Sequence, residues 1–167
     1  MVAKTLRRLL ALSFGLAVLL PAGPVLAQGT PANDDFSSAT IISALPFSDS
    51  IDTTGATSAA DDPAACGNRG SVWYAFTASQ DQGITASTFG SNYDTVLSVY
   101  TQGSGGLVFL TCNDDASGTL QSHVNISVTA GTTYFFMIST ACCGRNWYSN
   151  AALMFAWIRN CTPGVNR

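Results

Sequence analysis

The chain has 167 residues, of which 47% are hydrophobic and 10% charged, and its formal net charge is −3. All ten acidic residues are Asp. A chain this acidic lacks the Lys and Arg needed to neutralise phosphates, which excludes a nucleic-acid-binding face, and so small a charged fraction excludes a coiled coil or a disordered tail.

The first segment reads as a secretory leader over residues 1–27. Lys4, Arg7 and Arg8 precede an apolar run from Leu9 to Leu20, and Val25-Leu26-Ala27 offers small residues for cleavage. Spanning a bilayer takes about 20 apolar residues, and this run stops at Pro21, so an uncleaved anchor is not expected. Cleavage after Ala27 leaves Gln28 as the new terminus and removes three of seven basic residues. The mature charge is then four minus ten, or −6. A secreted or periplasmic protein is the expectation.

Residues 28–32 form a short linker, and 33–162 read as one domain, because about 140 residues support a single core and leave no room for a second. Residues 34–39 are expected to make one helical turn capped by an Asp. The remainder reads as strands. Over 71–78, Val72, Tyr74 and Phe76 alternate with Ser71, Trp73 and Ala75, so Trp73 packs on the second face. A shorter strand covers 84–89. Residues 95–101 and 107–112, joined by Gly103-Ser104-Gly105-Gly106, form a hairpin. Val124, Ile126 and Val128 share one face of the next strand, a turn at Ala130-Gly131 leads into 132–139, and the last strand, 151–158, is apolar on both faces. About eight short strands separated by Gly, Asn and Asp turns make an all-β, two-sheet β-sandwich.

Five cysteines, Cys66, Cys112, Cys142, Cys143 and Cys161, in an exported chain point to disulfides. Two bridges among five thiols allow about 15 pairings. The expectation is that Cys66 or Cys112 bonds to one of the vicinal pair Cys142 and Cys143, with Cys161 left over. Zinc is not expected, since such sites want Cys pairs spaced by a few residues and often several His.

Asp beside Asn, Gly, Ser or Thr builds either oxygen ligands for calcium or Asx turns. In the set Asp94, Asn113, Asp114 and Asp115, the hairpin brings the carboxylates toward neighbouring strand ends. An Asx-turn and amide network is expected there, with a second cation site as the alternative. His123 is the only imidazole, and no Gly-x-Ser-x-Gly elbow accompanies it, so the chain is read as not an enzyme. Arg145, Trp147 and Tyr148, in the loop 144–150, are candidates for a recognition surface.

Five blocks, in order and spacing, carry a family resemblance. They are Asn33-Asp34-Asp35-Phe36 with Ala39 and Thr40; 71–78 (Ser-Val-Trp-Tyr-Ala-Phe-Thr-Ala); 90–97 (Gly-Ser-Asn-Tyr-Asp-Thr-Val-Leu); Cys112-Asn113-Asp114-Asp115; and 130–134 (Ala-Gly-Thr-Thr-Tyr). Together they resemble the bacterial pre-peptidase C-terminal domain. The resemblance implies a jelly-roll-like β-sandwich on secreted bacterial proteins. In relatives such as the collagen-binding domains of clostridial collagenases, calcium ties an amino-terminal segment to a loop. Carried over, that site falls on Asn33, Asp34 and Asp35 with Asp61 or Asp62. The expected function is thus a secreted, calcium-stabilised binding module for an extracellular protein or polysaccharide. The alternatives are a structural, envelope-associated protein with no specific ligand and, third, a small hydrolase using His123.

Overall fold

The computed structural model describes residues 29–67, 69–141 and the backbone of 150–157 together with the side chain of Leu153. The expected leader, Cys142, Cys143, Cys161, Arg145, Trp147 and Tyr148 lie outside the described residues. Among the described residues nine strands run in chain order: β1 Thr40–Ile42, β2 Phe47–Asp52, β3 Arg69–Thr77, β4 Gln82–Ser87, β5 Thr95–Gly103, β6 Gly106–Asn113, β7 His123–Val128, β8 Thr133–Thr140 and β9 Asn150–Trp157. They form a five-stranded sheet in the order β1-β3-β8-β5-β6 and a four-stranded sheet in the order β2-β9-β4-β7. The fold is a two-sheet β-sandwich. Among the described residues the helical content is one 3-10 turn, Phe36–Ser38. Its N-cap is Asp35, which makes no side-chain cap bond, so the expected Asp cap is absent.

Alternation of side chains decides which residues meet between the sheets. In β3 and β8, Val72 faces Ile138, Tyr74 faces Phe136 and Phe76 faces Tyr134, and β5 adds Leu97 and Val99 on the same side. The four-stranded sheet contributes Ile84, Ala86, Val124, Val128 and Leu153. Phe47 and Ile51 of β2 pack at the edge of this core, and Asp49 between them accepts a 3.1 Å hydrogen bond from the Tyr74 hydroxyl. Burial and the neighbouring Asp49 charge raise the Tyr74 pKa, so the phenol stays a donor.

The five-stranded sheet is buried on its outer face as well. Trp73, Tyr100 and Met137 form a second cluster there, with Phe36, Ala39, Leu107 and Phe135 packed against it. The Phe36 ring sits 5.2 Å from Trp73 and 4.7 Å from Phe135. The β2–β3 loop completes the cover. Gly67 approaches so closely that an added Cβ would lie 3.3 Å from Val96 Cγ2, and its carbonyl accepts the Ser139 hydroxyl at 3.1 Å. The hairpin expectation holds, with Gly103 opposite Gly106 and Gly106 at φ +120°.

The disulfide corrects the sequence expectation. Cys66 and Cys112 bond to each other, with Cα atoms 6.4 Å apart, rather than either to the vicinal pair. The reason is the loop: Cys112 lies opposite Ser98 on the outer face that the loop covers. The bond closes a 46-residue separation, for which loop-closure entropy gives about 4 kcal/mol. The double variant Cys66→Ala/Cys112→Ala is therefore expected to unfold at clearly lower urea concentration; an unchanged midpoint would contradict that account.

Candidate functional site

The two acidic sets singled out in the sequence have different surroundings. In the first, Asn33 is buried and exchanges two 2.9 Å bonds with Trp73: its side-chain amide donates to the Trp73 carbonyl, and its own carbonyl accepts the Trp73 N–H. Both oxygens of Asp34 are engaged by Thr57, Oδ1 by the backbone N–H at 2.6 Å and Oδ2 by the hydroxyl at 2.7 Å. Asp62 is buried and accepts three bonds. Its Oδ2 takes the Ala59 N–H at 3.0 Å and the Ser71 hydroxyl at 2.5 Å, and its Oδ1 takes the Trp73 indole N–H at 3.2 Å. Asp35 and Asp61 are exposed. This set works as a hydrogen-bonded clamp, joining the lead-in and β3 to the β2–β3 loop. Its carboxylates are not among those brought together as a converging group of three.

The second set does converge. Asp94 lies just before β5, while Asp114 and Asp115 follow β6, and antiparallel pairing of Leu97 with Asn113 makes these ends neighbours. One carboxylate oxygen from each of Asp94, Asp114 and Asp115 lies within 4.8 Å of the others. Oδ1 of Asp94 is out of contact with water and has no hydrogen-bond partner among the described residues.

Their backbones are pinned by a polar plug beneath. The Ser122 hydroxyl donates to the Asp114 carbonyl at 2.8 Å, and its N–H donates to the Thr88 hydroxyl at 2.7 Å; Thr88 and Thr95 share a 2.6 Å hydroxyl contact. Asn113 accepts the His123 N–H at 2.9 Å and donates to the Asp115 carbonyl at 3.0 Å, while Ala141 N–H reaches the Asp94 carbonyl at 3.3 Å. The expected Asx network exists at Asn113, and it holds main chain. Sequence reasoning missed Ser122, Thr88 and Thr95, since nothing in their local spacing sets them apart from other hydroxyl residues. The His123 ring packs beside Phe89, centroids 6.1 Å apart.

Crowding shows in the titration of these groups. Desolvation pushes the Asp94 carboxyl above the ordinary value of 3.8, and the charges of Asp114 and Asp115 add to the shift. Asp114 is raised for the same reasons, desolvation first and then Asp115. Three carboxylates, nearby carbonyls and water can meet the six to eight oxygens at about 2.3–2.6 Å that calcium requires. The all-oxygen donor set suits a hard cation and not the Cys and His preference of structural zinc.

No family model matches the sequence, and no curated protein matches it. Eleven chains among solved structures do match. One is the pre-peptidase C-terminal domain of collagenase from Bacillus anthracis, with 12% sequence identity and a TM-score of 0.48 over 70% of this chain and 93% of that chain.

Two outcomes follow from the geometry. Asp62→Ala strips the acceptor from the buried Ser71 hydroxyl and the Trp73 indole, so it is expected to cost about 3 kcal/mol in urea unfolding, against about 0.5 kcal/mol or less for exposed Asp61→Ala. For Asp94 and Asp114, the raised folded-state pKa values mean that the folded chain binds protons more tightly than the unfolded one. In calcium-free buffer, stability is therefore expected to fall as pH rises from 3.8 through the raised values, with the full penalty present at neutral pH. Asp114→Asn should then raise the melting midpoint at pH 7 in chelator; a lowered midpoint would show that the charges do not repel.

Proposed function

We propose that the chain is a secreted or periplasmic, calcium-stabilised β-sandwich binding module that attaches to an extracellular protein or polysaccharide and catalyses no reaction itself. The observation that carries this reading is the convergence of Asp94, Asp114 and Asp115, one of whose oxygens, Asp94 Oδ1, has no donor among the described residues. A hard divalent cation supplies the missing charge. Asp94, Asp114 and Asp115 would hold it, and bound there it would join the start of β5 to the loop after β6.

Export is supported by the Cys66–Cys112 bond, which persists in oxidising compartments, and by the leader-like start of the sequence. Attachment is assigned to Arg145, Trp147 and Tyr148, because Arg, Trp and Tyr are the residue types enriched where surfaces recognise partners.

A thermal melt in chelator against 10 mM calcium tests the metal. For an extracellular-type affinity of about 10⁻⁴–10⁻³ M, that concentration stabilises the folded state by about 1–3 kcal/mol. Asp94→Asn should abolish the gain without lowering the chelated midpoint, while Asp35→Asn should keep it. Equal midpoints for wild type with and without calcium would remove the metal from this reading. Attachment is checked by co-sedimentation with insoluble fibrous protein and insoluble polysaccharide, where Trp147→Ala/Tyr148→Ala should release the bound fraction.

A further inference from the structure

Two features of the outer face of the five-stranded sheet meet at the far end of the β2–β3 loop. The first is the place of the disulfide. Cys66 is exposed, as are Ala64 and Ala65 before it, and Cys112 is half-buried on β6. Gly67, the next residue, is buried against Val96 and accepts the Ser139 hydroxyl. The bond therefore fastens this end of the loop at a sulfur that solvent reaches, and exposed disulfides are the ones that exchange readily with thiols.

The second is a pair of hydroxyls on the covered face. Ser98 lies opposite both Cys112 and Met137, so its side chain shares their face. Tyr100, two residues on, shares it too and packs on Trp73 with ring centroids 5.9 Å apart. Ser98 is 0% and Tyr100 1% exposed, yet neither Ser98 Oγ nor Tyr100 Oη has a hydrogen-bond partner among the described residues. The buried hydroxyls of Ser71 and Ser139 do find acceptors, in Asp62 and Gly67. Taking a hydroxyl out of water without a partner is unfavourable, so cover over Ser98 and Tyr100 is held against a desolvation cost.

We infer that the Cys66–Cys112 bond is a thiol-exchangeable latch, holding the far end of the β2–β3 loop shut over the Ser98 and Tyr100 hydroxyls, and that its reduction opens this end while the sandwich stays folded. The reductant is a dithiol. One of its thiolates attacks the exposed Sγ of Cys66, and the Cys112 thiolate leaves. The second thiolate then closes a disulfide within the reductant and expels the Cys66 thiolate. The dithiol loses two electrons, and its two protons end on Cys66 and Cys112. Opening is local because the remaining anchors do not involve sulfur. Asp62 still holds Ala59, Ser71 and Trp73, and among the described residues none of 57–67 belongs to the core packed between the sheets.

The test is made on the full chain in chelator, so its outcome is separate from that of the cation. About 5 mM dithiothreitol, without denaturant, should reduce the bond and leave the far-ultraviolet circular dichroism of the sheets unchanged. Hydroxyl-radical footprinting, after alkylation and removal of the reductant, should then show labelling of Met137 and Tyr100 raised at least about tenfold, with inner-face Phe136 still protected. Cys66→Ala/Cys112→Ala should show the raised labelling with no reductant and no further change on adding it, which separates this bond from the other cysteines. Ser98→Ala/Tyr100→Phe removes both unpartnered hydroxyls, so reduction should raise its Met137 labelling by a factor at least about threefold smaller. Four results would each overturn the proposal: a bond that resists reduction until the chain is denatured, loss of the sheet signal on reduction, Met137 as protected after reduction as before, or full opening of Ser98→Ala/Tyr100→Phe.

Discussion

The constraint on which the molecule depends is that β3 is buried on both faces. From Ser71 to Phe76 every residue is buried, so one sheet packed against another cannot satisfy it. Val72, Tyr74 and Phe76 are covered by the second sheet, but Trp73 faces away and brings an indole N–H that needs an acceptor out of water. Asp62 supplies that acceptor. Because Asp62 also binds Ser71 and the Ala59 N–H, the β2–β3 loop is drawn down as a lid over the outer face. Asn33 and Asp34 tie the lead-in to the same region by holding Trp73 and Thr57. A buried carboxylate that accepts three hydrogen bonds is a strong local organiser, since losing any donor leaves a desolvated charge.

What was legible in the sequence follows from period-2 alternation. β3, β5, β6, β7 and β8 emerge within one or two residues of their expected bounds because Val72, Tyr74 and Phe76, or Tyr134, Phe136 and Ile138, recur on one face. β2 is not legible in this way. Phe47-Ser48-Asp49-Ser50-Ile51-Asp52 alternates, but its inner row contains Asp49, whose place in the core edge depends on a Tyr74 hydroxyl distant in sequence. β1 is too short for any pattern.

The acidic residues show where local reading stops. Asn33-Asp34-Asp35 and Asn113-Asp114-Asp115 are the same tripeptide and carry the same sequence signal for oxygen ligation. Their fates are set by what the chain brings from elsewhere: Thr57 satisfies Asp34, while Asp114 meets Asp94, a second acid. The cysteine pairing failed for a related reason. It turns on the course of the β2–β3 loop, which is directed by Asp62, Gly67 and Ser139 and leaves no periodic trace.

The disulfide and the carboxylate trio are adjacent links of one chain. Cys112 is followed at once by Asn113, Asp114 and Asp115, so the bond that pins the lid to β6 also fixes the strand end from which two of the three acids project. Ser122 and Asn113 then hold the main chain of that turn. A cation reaching such a site meets ligands whose backbone entropy is already lost, so more of the interaction energy appears as affinity. The disulfide and the Ser122 and Asn113 hydrogen bonds thus set where the three carboxylates meet by fixing the main chain that carries them.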